Sequence, residues 1–185
     1  KEYSNKLISI INNLFKREVD IRQCEGCSQY SFSFKQLSLF LTVNFNKYAS
    51  NKNISEWVKF ISYENKQNLL LGYLASDGCI TRHTKGYNSM EFVSISLELL
   101  EDIQDIAFSI GLISNLSKLR DKSEHLFKNG LCKTKETYHL RFGNEDTIKF
   151  GKIFNFNDIK LSKIDSNIKA RPKQKTNCFF DEKEE

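Results

Sequence analysis

The spacing of apolar residues alternates between the period of a helix and the period of a strand, and this alternation constrains the fold most. After residue 62, helices are predicted over 63–76, 99–110 and 145–153. The strands predicted between them are 79–83, 91–97, 113–120 and 137–142. The order helix, hairpin, helix, hairpin, helix is typical of an α+β fold with an antiparallel sheet covered on one face by helices.

The residues before 62 show a shorter version of the same order. A helix is predicted from Ser4, as its N-cap, to Phe15, and a second helix over 34–45. Between them, alternating residues over 18–23 and 30–34 predict a hairpin. We interpret this segment as the back half of another such unit. The expected organisation is then 1–62 as the C-terminal part of a first repeat, 63–170 as a complete αββαββα repeat, and 171–185 as a tail.

Composition argues against a disordered chain and against a membrane-spanning protein. Lys and Arg outnumber Asp and Glu by 28 to 23, giving a mildly basic net charge of +5, and 39% hydrophobic residues are enough for a core. No apolar run reaches 18 residues, so no membrane span is expected. The five cysteines are an odd number in a chain that needs no disulfides, which favours an intracellular location, cytoplasmic or nuclear. Cys24 and Cys27 form a CxxC motif. An ordinary turn is the simpler interpretation, and half of a zinc knuckle is the alternative.

The segment Leu70 to Gly78, LLGYLASDG, is the most informative motif. On a helix, Gly72, Ala75 and Ser76 form a nearly bare face that admits close approach of a second helix. Asp77 would lie at the negative end of the helix dipole, which is unfavourable by about 0.3–1 kcal/mol unless a cation is near. Gly78 is expected as a left-handed cap. Taken alone, the segment also fits a plain buried helix ended by an Asp-Gly turn.

This segment resembles the LAGLIDADG motif of homing endonucleases, and Val93 to Leu112 resembles the strand, helix and glycine turn that follow it in the family. Gly72, Asp77 and Gly78 match motif positions, while Ala75 replaces the usual internal acidic residue. The resemblance implies that two motif helices pack together and that their terminal aspartates bind Mg²⁺ at the scissile phosphates, with Asp77 and Gly78 at the metal. No earlier motif helix is present, so the partner is expected from an upstream half of the same protein or from a second copy.

Further resemblances point to the intein-encoded (DOD-type) branch of this family. Lys52, in KNISEW, resembles the lysine block before the second motif, although Ser55 stands where that block has proline. Lys160, in NDIKLSK, best matches the second catalytic lysine, with Lys163 as the alternative. Residues 177–185 resemble the strand where an intein splicing domain resumes. For each lysine, a solvated surface position is the competing interpretation.

A basic ribbon gives separate support for binding to double-stranded DNA. Residues 118–135 are expected to form a strand-turn-strand ribbon that fits the major groove, with the alternative of a solvated basic hairpin. In the next strand, His139 and Arg141 share the face opposite Leu140. The predicted DNA-binding residues are Thr81, His83, Lys118, Arg120, Lys122, Lys133, Lys135, His139 and Arg141.

The function expected from the resemblance is site-specific cleavage of double-stranded DNA by metal-activated water, with Asp77 at the metal and Lys52 and Lys160 stabilising the transition state. Two alternatives remain open. One is a DNA-binding, maturase-like protein that does not cut DNA, and the other is a degenerate insertion fragment of an intein.

Overall fold

The computed structural model describes residues 2–84, 86–127 and 130–167. The helices are α1 (Glu2–Ile10, continued by a π-helical turn over Ile11–Phe15), α2 (Lys35–Phe45), α3 (Tyr63–Asp77), α4 (Leu97–Ser109) and α5 (Asn144–Ile153), with 3₁₀ turns at Glu56–Phe60 and Leu161–Lys163. The strands are β1 (Asp20–Cys24), β2 (Cys27–Ser31), β3 (Cys79–His83), β4 (Tyr87–Ser94), β5 (Ser114–Arg120), β6 (Ser123–Phe127), β7 (Gly130–Thr134) and β8 (Thr137–Phe142).

The predicted α+β class and the order of elements are confirmed, with differences at some boundaries. Helix α1 begins at Glu2, so Ser4 lies inside the helix and its predicted role as N-cap is wrong. Strand β4 starts at Tyr87, earlier than the apolar alternation indicates, because it pairs with the whole length of β3. None of the described helices is long and apolar enough to cross a bilayer. Residues 128–129 of the predicted ribbon and the tail 171–185 lie outside the described residues.

A four-stranded antiparallel sheet organises the residues that follow position 78. Its strand order is β3-β4-β8-β5, so the two inner strands, β4 and β8, join two hairpins. The β6–β7 hairpin is inserted between β5 and β8 and forms a separate two-stranded ribbon. The order explains how residues that are far apart in sequence share one sheet face.

The core lies on one side of this sheet. Met90 and Phe92 of β4 and Leu140 and Phe142 of β8 are fully buried. The side chains that cover them come from α3, α4 and α5: Leu70, Leu74, Leu100, Ile103, Ile106 and Phe150. Because side chains alternate along a strand, the opposite face of the sheet, called the open sheet face below, carries polar side chains of β3, β4 and β8.

The N-terminal segment, residues 2–45, is packed much less tightly. Helix α2 has no buried residue. The end of α1 is anchored by Phe15, whose ring lies 6.4 Å from that of Phe32 and 5.2 Å from that of Phe34. Cys24 and Cys27 flank the β1–β2 turn, are exposed and form no disulfide. The hairpin β1–β2 forms a sheet of its own.

Candidate functional site

The C-terminal end of α3 carries the predicted catalytic aspartate. Asp77 is the last residue of α3 and is exposed. Gly78 follows with φ −82°, so the predicted left-handed cap is wrong. Space explains the glycine instead: a Cβ at position 78 would lie 2.7 Å from the Cα of Leu74 and 2.7 Å from the ring of Phe92. The glycine therefore lets the chain continue from α3 into β3 in close contact with Leu74 and Phe92.

Lys160 supplies a cation at this helix end. Its Nζ donates to the carbonyl oxygens of Leu74 at 2.6 Å and Gly78 at 2.7 Å, and lies 3.5 Å from that of Ser76. A positive charge here complements the negative end of the helix dipole and offsets the unfavourable position of Asp77. The contact also engages the Gly78 carbonyl, the backbone oxygen that the family resemblance assigned to the metal.

Lys52 also lies at this end of α3. Together with Asp77 and Tyr73 it lines a cavity of about 240 Å³. The hydroxyl of Ser96 donates to the Lys52 carbonyl at 2.6 Å, which fixes this loop against the start of α4. Burial, with a smaller effect from the Asp77 charge, raises the pKa of Tyr73 to about 12. The structure thus brings Asp77, Lys52 and Lys160 to one helix end.

The metal ligands in this region are incomplete. No group of three His, Cys, Asp or Glu side chains that could hold a metal ion occurs among the residues that the structure describes. A divalent cation such as Mg²⁺ needs several oxygen ligands, and in protein sites one or two carboxylates usually share it with substrate phosphates. Asp77 provides one carboxylate, and the Gly78 carbonyl is engaged by Lys160. The described residues of one chain therefore do not form a metal site by themselves.

The bare face of α3 is open, as the small residues predict. Gly72 and Ser76 are exposed and Ala75 is half-buried, and a Cβ on Gly72 would meet no atom within 4 Å. Helix α1 faces this surface across a cavity of about 430 Å³, to which it contributes Leu7 and Ile10. Both α1 side chains stay partly exposed, so the two helices do not pack closely.

The open sheet face holds an ion-pair network that joins three predicted DNA-binding residues. Glu91 is its centre: its carboxylate lies 3.2 Å from Nε of Arg141 and 3.3 Å from Nε2 of His139, and accepts a hydrogen bond from Ser89 at 2.7 Å. Arg141 also donates to Nε2 of His83 at 3.0 Å. The contact between His139 and Glu91 is close without the geometry of a hydrogen bond.

Sequence reasoning missed Glu91 and Ser89. Glu91 lies between the buried Met90 and Phe92 of β4 and pairs with Arg141 of β8, and Ser89, itself buried, points to the same face of the sheet. The pairing of Glu91 with Arg141 depends on the β4–β8 register, which the sequence does not display. Thr81 lies on the same face, in register with Ser89.

The basic ribbon contains paired and unpaired cations. Lys118 lies 3.0 Å from Asp121 and 3.3 Å from Glu136, and Lys133 lies 2.9 Å from Glu124. In the part of the chain that the structure describes, three cations of the ribbon make no ion pair: Arg120, Lys122 and Lys135. These three are the more available partners for an external anion.

Comparison with known proteins agrees with this architecture. Residues 64–154 match the family model of the LAGLIDADG-like domain. A structure of mesophilic variants of the homing endonuclease I-DmoI is similar, with 16% identity, a TM-score of 0.54, and coverage of 81% of this chain and 69% of that chain. A structure of I-DmoI in complex with DNA and Mn gives 15% identity, a TM-score of 0.51, and coverage of 82% and 71%. No curated protein matches the sequence.

Proposed function

We propose, on the basis of the LAGLIDADG-like domain in residues 64–154, that this chain is part of a site-specific double-strand DNA endonuclease of the homing type. The open face of the β3-β4-β8-β5 sheet and the β6–β7 ribbon would contact the duplex. Asp77 would act at the scissile phosphate. The observation that carries the proposal is the convergence of Asp77, Lys52 and Lys160 at the end of α3.

The three residues are given different roles. Lys52 lies beside Asp77 on the cavity wall, where its ammonium group would stabilise negative charge that develops on a phosphate. Lys160 is already bonded to two carbonyl oxygens of the α3 terminus, so it is assigned to positioning Asp77. A divalent metal, Mg²⁺ in our proposal, would need a second carboxylate. We therefore assign cleavage to an assembly with a second motif helix, from an upstream half of the same protein or a second copy.

A second candidate function is DNA binding without cleavage, as in a maturase-like protein. The incomplete metal ligands among the described residues favour it. An intein origin, with residues 177–185 leading into a splicing domain, is also proposed. It rests on the sequence resemblance of that tail and of the Lys52 block.

Substitution of Asp77 by Asn separates these functions. The chain restored with its upstream half would be incubated with a library of duplex DNA and Mg²⁺, with binding followed by mobility shift and cutting by sequencing of new ends. We expect Asp77→Asn to abolish cutting and to leave binding nearly unchanged, because it removes charge from the metal site and leaves the cations of the ribbon in place. Glu64→Gln, an exposed acidic residue at the other end of α3, is the matched control and should change neither.

The outcomes are distinct. Full cutting by Asp77→Asn would remove Asp77 from the chemistry. Binding by the restored chain with Asp77 in place, but without any cutting in Mg²⁺, would favour the second candidate function. Absence of any duplex binding would contradict both.

A further inference from the structure

Asp102 is a buried carboxylate on the apolar face of α4. It is 7% exposed, and no other charged side chain is buried in the part of the chain that the structure describes. Its neighbours on the helix, Leu99, Ile103 and Ile106, belong to the core. Aspartate is almost never fully buried in proteins unless it is paired, so its place among these residues needs an explanation. Asp102 does not line the cavity that contains Asp77, so it has no direct part in the proposed chemistry.

The two carboxylate oxygens of Asp102 have different partners. Oδ1 lies 2.8 Å from Nζ of Lys59, and Oδ2 accepts a hydrogen bond from the backbone N–H of Ile54 at 2.7 Å. The bond with Asp102, helped by Asp105 and opposed by burial, raises the pKa of Lys59 above its ordinary value. Lys59 therefore stays charged and balances the buried carboxylate, while the second oxygen is left to hold the backbone at residue 54.

The backbone at Ile54 belongs to a segment without regular structure. This segment, called the Lys52 loop below, comprises residues 46–55 between α2 and the first 3₁₀ turn. Helices and strands satisfy their own N–H and C=O groups, whereas a loop depends on side chains or water. Ile54 is buried, so Asp102 supplies an acceptor where water has little access. A charged acceptor also makes a stronger hydrogen bond than a neutral one.

The Lys52 loop lies along the beginning of α4. Three hydrogen bonds join consecutive loop residues to this part of the helix: from the Ser96 hydroxyl to the Lys52 carbonyl at 2.6 Å, from the Asn53 amide to Glu98 at 2.9 Å, and from the Ile54 N–H to Asp102 at 2.7 Å. The last of these is the buried one, whereas the bond to Glu98 is exposed to water. Asp102 therefore makes the contact that solvent can least replace.

We propose that Asp102 is a positioning residue, which holds the Lys52 loop against α4 and so keeps Lys52 on the cavity wall beside Asp77. This role rests on the proposed nuclease function, in which the Lys52 ammonium group stabilises charge on a phosphate. Lysine has a flexible four-carbon stem, so its ammonium group reaches a fixed point only when the backbone that carries it is fixed. A displacement of about 1 Å in an active site can lower a rate about 100-fold.

Hydrogen exchange tests the first step of this proposal without DNA. Asp102→Ala removes the acceptor, so the Ile54 amide proton should exchange about tenfold faster or more, while the Ile103 amide in α4 stays protected. Asp105→Ala is the matched control and should leave the Ile54 exchange unchanged. Asp105 lies on the same helix and also pairs with Lys59, at 3.1 Å, but it is exposed and is not the acceptor of the Ile54 N–H. Unchanged Ile54 exchange in Asp102→Ala would overturn the proposal.

A double-mutant cycle tests the link to Lys52. In the chain restored with its upstream half, Asp102→Ala should slow single-turnover cutting of a duplex recovered from the library by about 10-fold to 100-fold. DNA affinity should stay nearly unchanged. In a Lys52→Ala background the same substitution should slow cutting by less than about twofold, because the group that it positions is absent. A purely structural role would slow cutting equally in both backgrounds, and that result would refute positioning through Lys52.

Asp102→Asn serves in both measurements where Asp102→Ala does not fold. Its single carbonyl oxygen must serve both Lys59 and the Ile54 N–H, so we expect smaller changes in the same directions. A folded Asp102→Asn chain with unchanged exchange and unchanged cutting would count against the proposal. If the restored chain with every residue in place cuts no DNA, the proposed function fails, and the exchange measurement still decides whether Asp102 holds the loop.

Discussion

At the scale of single residues, the glycine that follows the site aspartate is required by the close packing of its neighbours and not by a positive φ angle. The sequence correctly marks position 78 as one that needs glycine, but it suggests a left-handed turn where the structure has extended backbone. The actual requirement is set by Phe92, a residue of β4 that packs against the end of α3. A contact of this kind follows from the assembled fold, so the motif by itself does not reveal it.

Two glycine substitutions on the same helix test this explanation. Gly78→Ala should lower the free energy of unfolding by about 1–3 kcal/mol, because the added methyl group would overlap backbone and a buried ring. Gly72→Ala should raise it by about 0.5–1 kcal/mol, since alanine favours the helix and the new Cβ meets open space. Urea denaturation measures both. A destabilising effect of equal size at the two positions would argue against close approach as the cause.

The ionisation of Tyr73 reports on the charge of Asp77. Its pKa is raised from 10.0 to about 12, mainly by burial and in part by Asp77. Between these values the unfolded chain loses the tyrosine proton while the folded chain keeps it, so stability should fall as the pH rises from 10 to 12. Tyr73→Phe should show a smaller fall. Ultraviolet titration of Asp77→Asn should find a lower pKa for Tyr73, and an unchanged value would place the carboxylate too far away to act on it.

At the scale of helices and strands, apolar periodicity predicts the type of an element better than its packing. Both α2 and α4 are recognisable from spacing, yet α4 is deeply buried and α2 has no buried residue. The difference arises because α4 has a four-stranded sheet beneath it, whereas the hairpin near α2 has two strands. The placement of Lys160 on the α3 terminus is equally invisible to local patterns, because the two segments are distant in sequence.

Two substitutions within α4 test which of its faces is packed. Ile103→Ala should reduce the free energy of unfolding by about 2–5 kcal/mol, because it leaves a cavity against the sheet. Phe108→Ala, at a side chain that is 71% exposed on the same helix, should change it by no more than about 0.5 kcal/mol. Thermal or urea denaturation gives both values. A larger loss at position 108 would mean that the exposed side of α4 has a partner in solution.

At the scale of the whole molecule, the net charge of +5 does not show which basic side chains are paired with acidic residues and which are not. Strand alternation correctly predicts that His139 and Arg141 share the face opposite Leu140 and Phe142. It does not predict that acidic residues neutralise several of the cations, since Lys118 and Lys133 are paired within the ribbon region. Cations of equal formal charge therefore differ in their availability to a phosphate backbone.

The salt dependence of duplex binding should reveal this difference. Arg120→Ala combined with Lys135→Ala should reduce the slope of log affinity against log salt by about two units if each contacts one phosphate. Lys118→Ala combined with Lys133→Ala removes the same charge, but from lysines that already have acidic partners, and should reduce the slope less. Filter binding over a range of salt concentrations measures both slopes. Equal reductions by the two double variants would contradict the distinction between paired and unpaired cations.

Glu91 gives the open sheet face an internal competitor for any anion that approaches it. Under the DNA-binding proposal, a phosphate that reaches Arg141 must displace a carboxylate that already holds the guanidinium group at 3.2 Å. Binding there is an exchange of anions, and the displaced carboxylate then needs a new donor. A base edge that offers an amino group, as cytosine does in the major groove, can supply one, whereas a base edge with only acceptors leaves Glu91 unsatisfied. Glu91 would thus weaken binding to base sequences that offer it no donor. Discrimination between DNA sequences would then come from a side chain with the same negative charge as DNA.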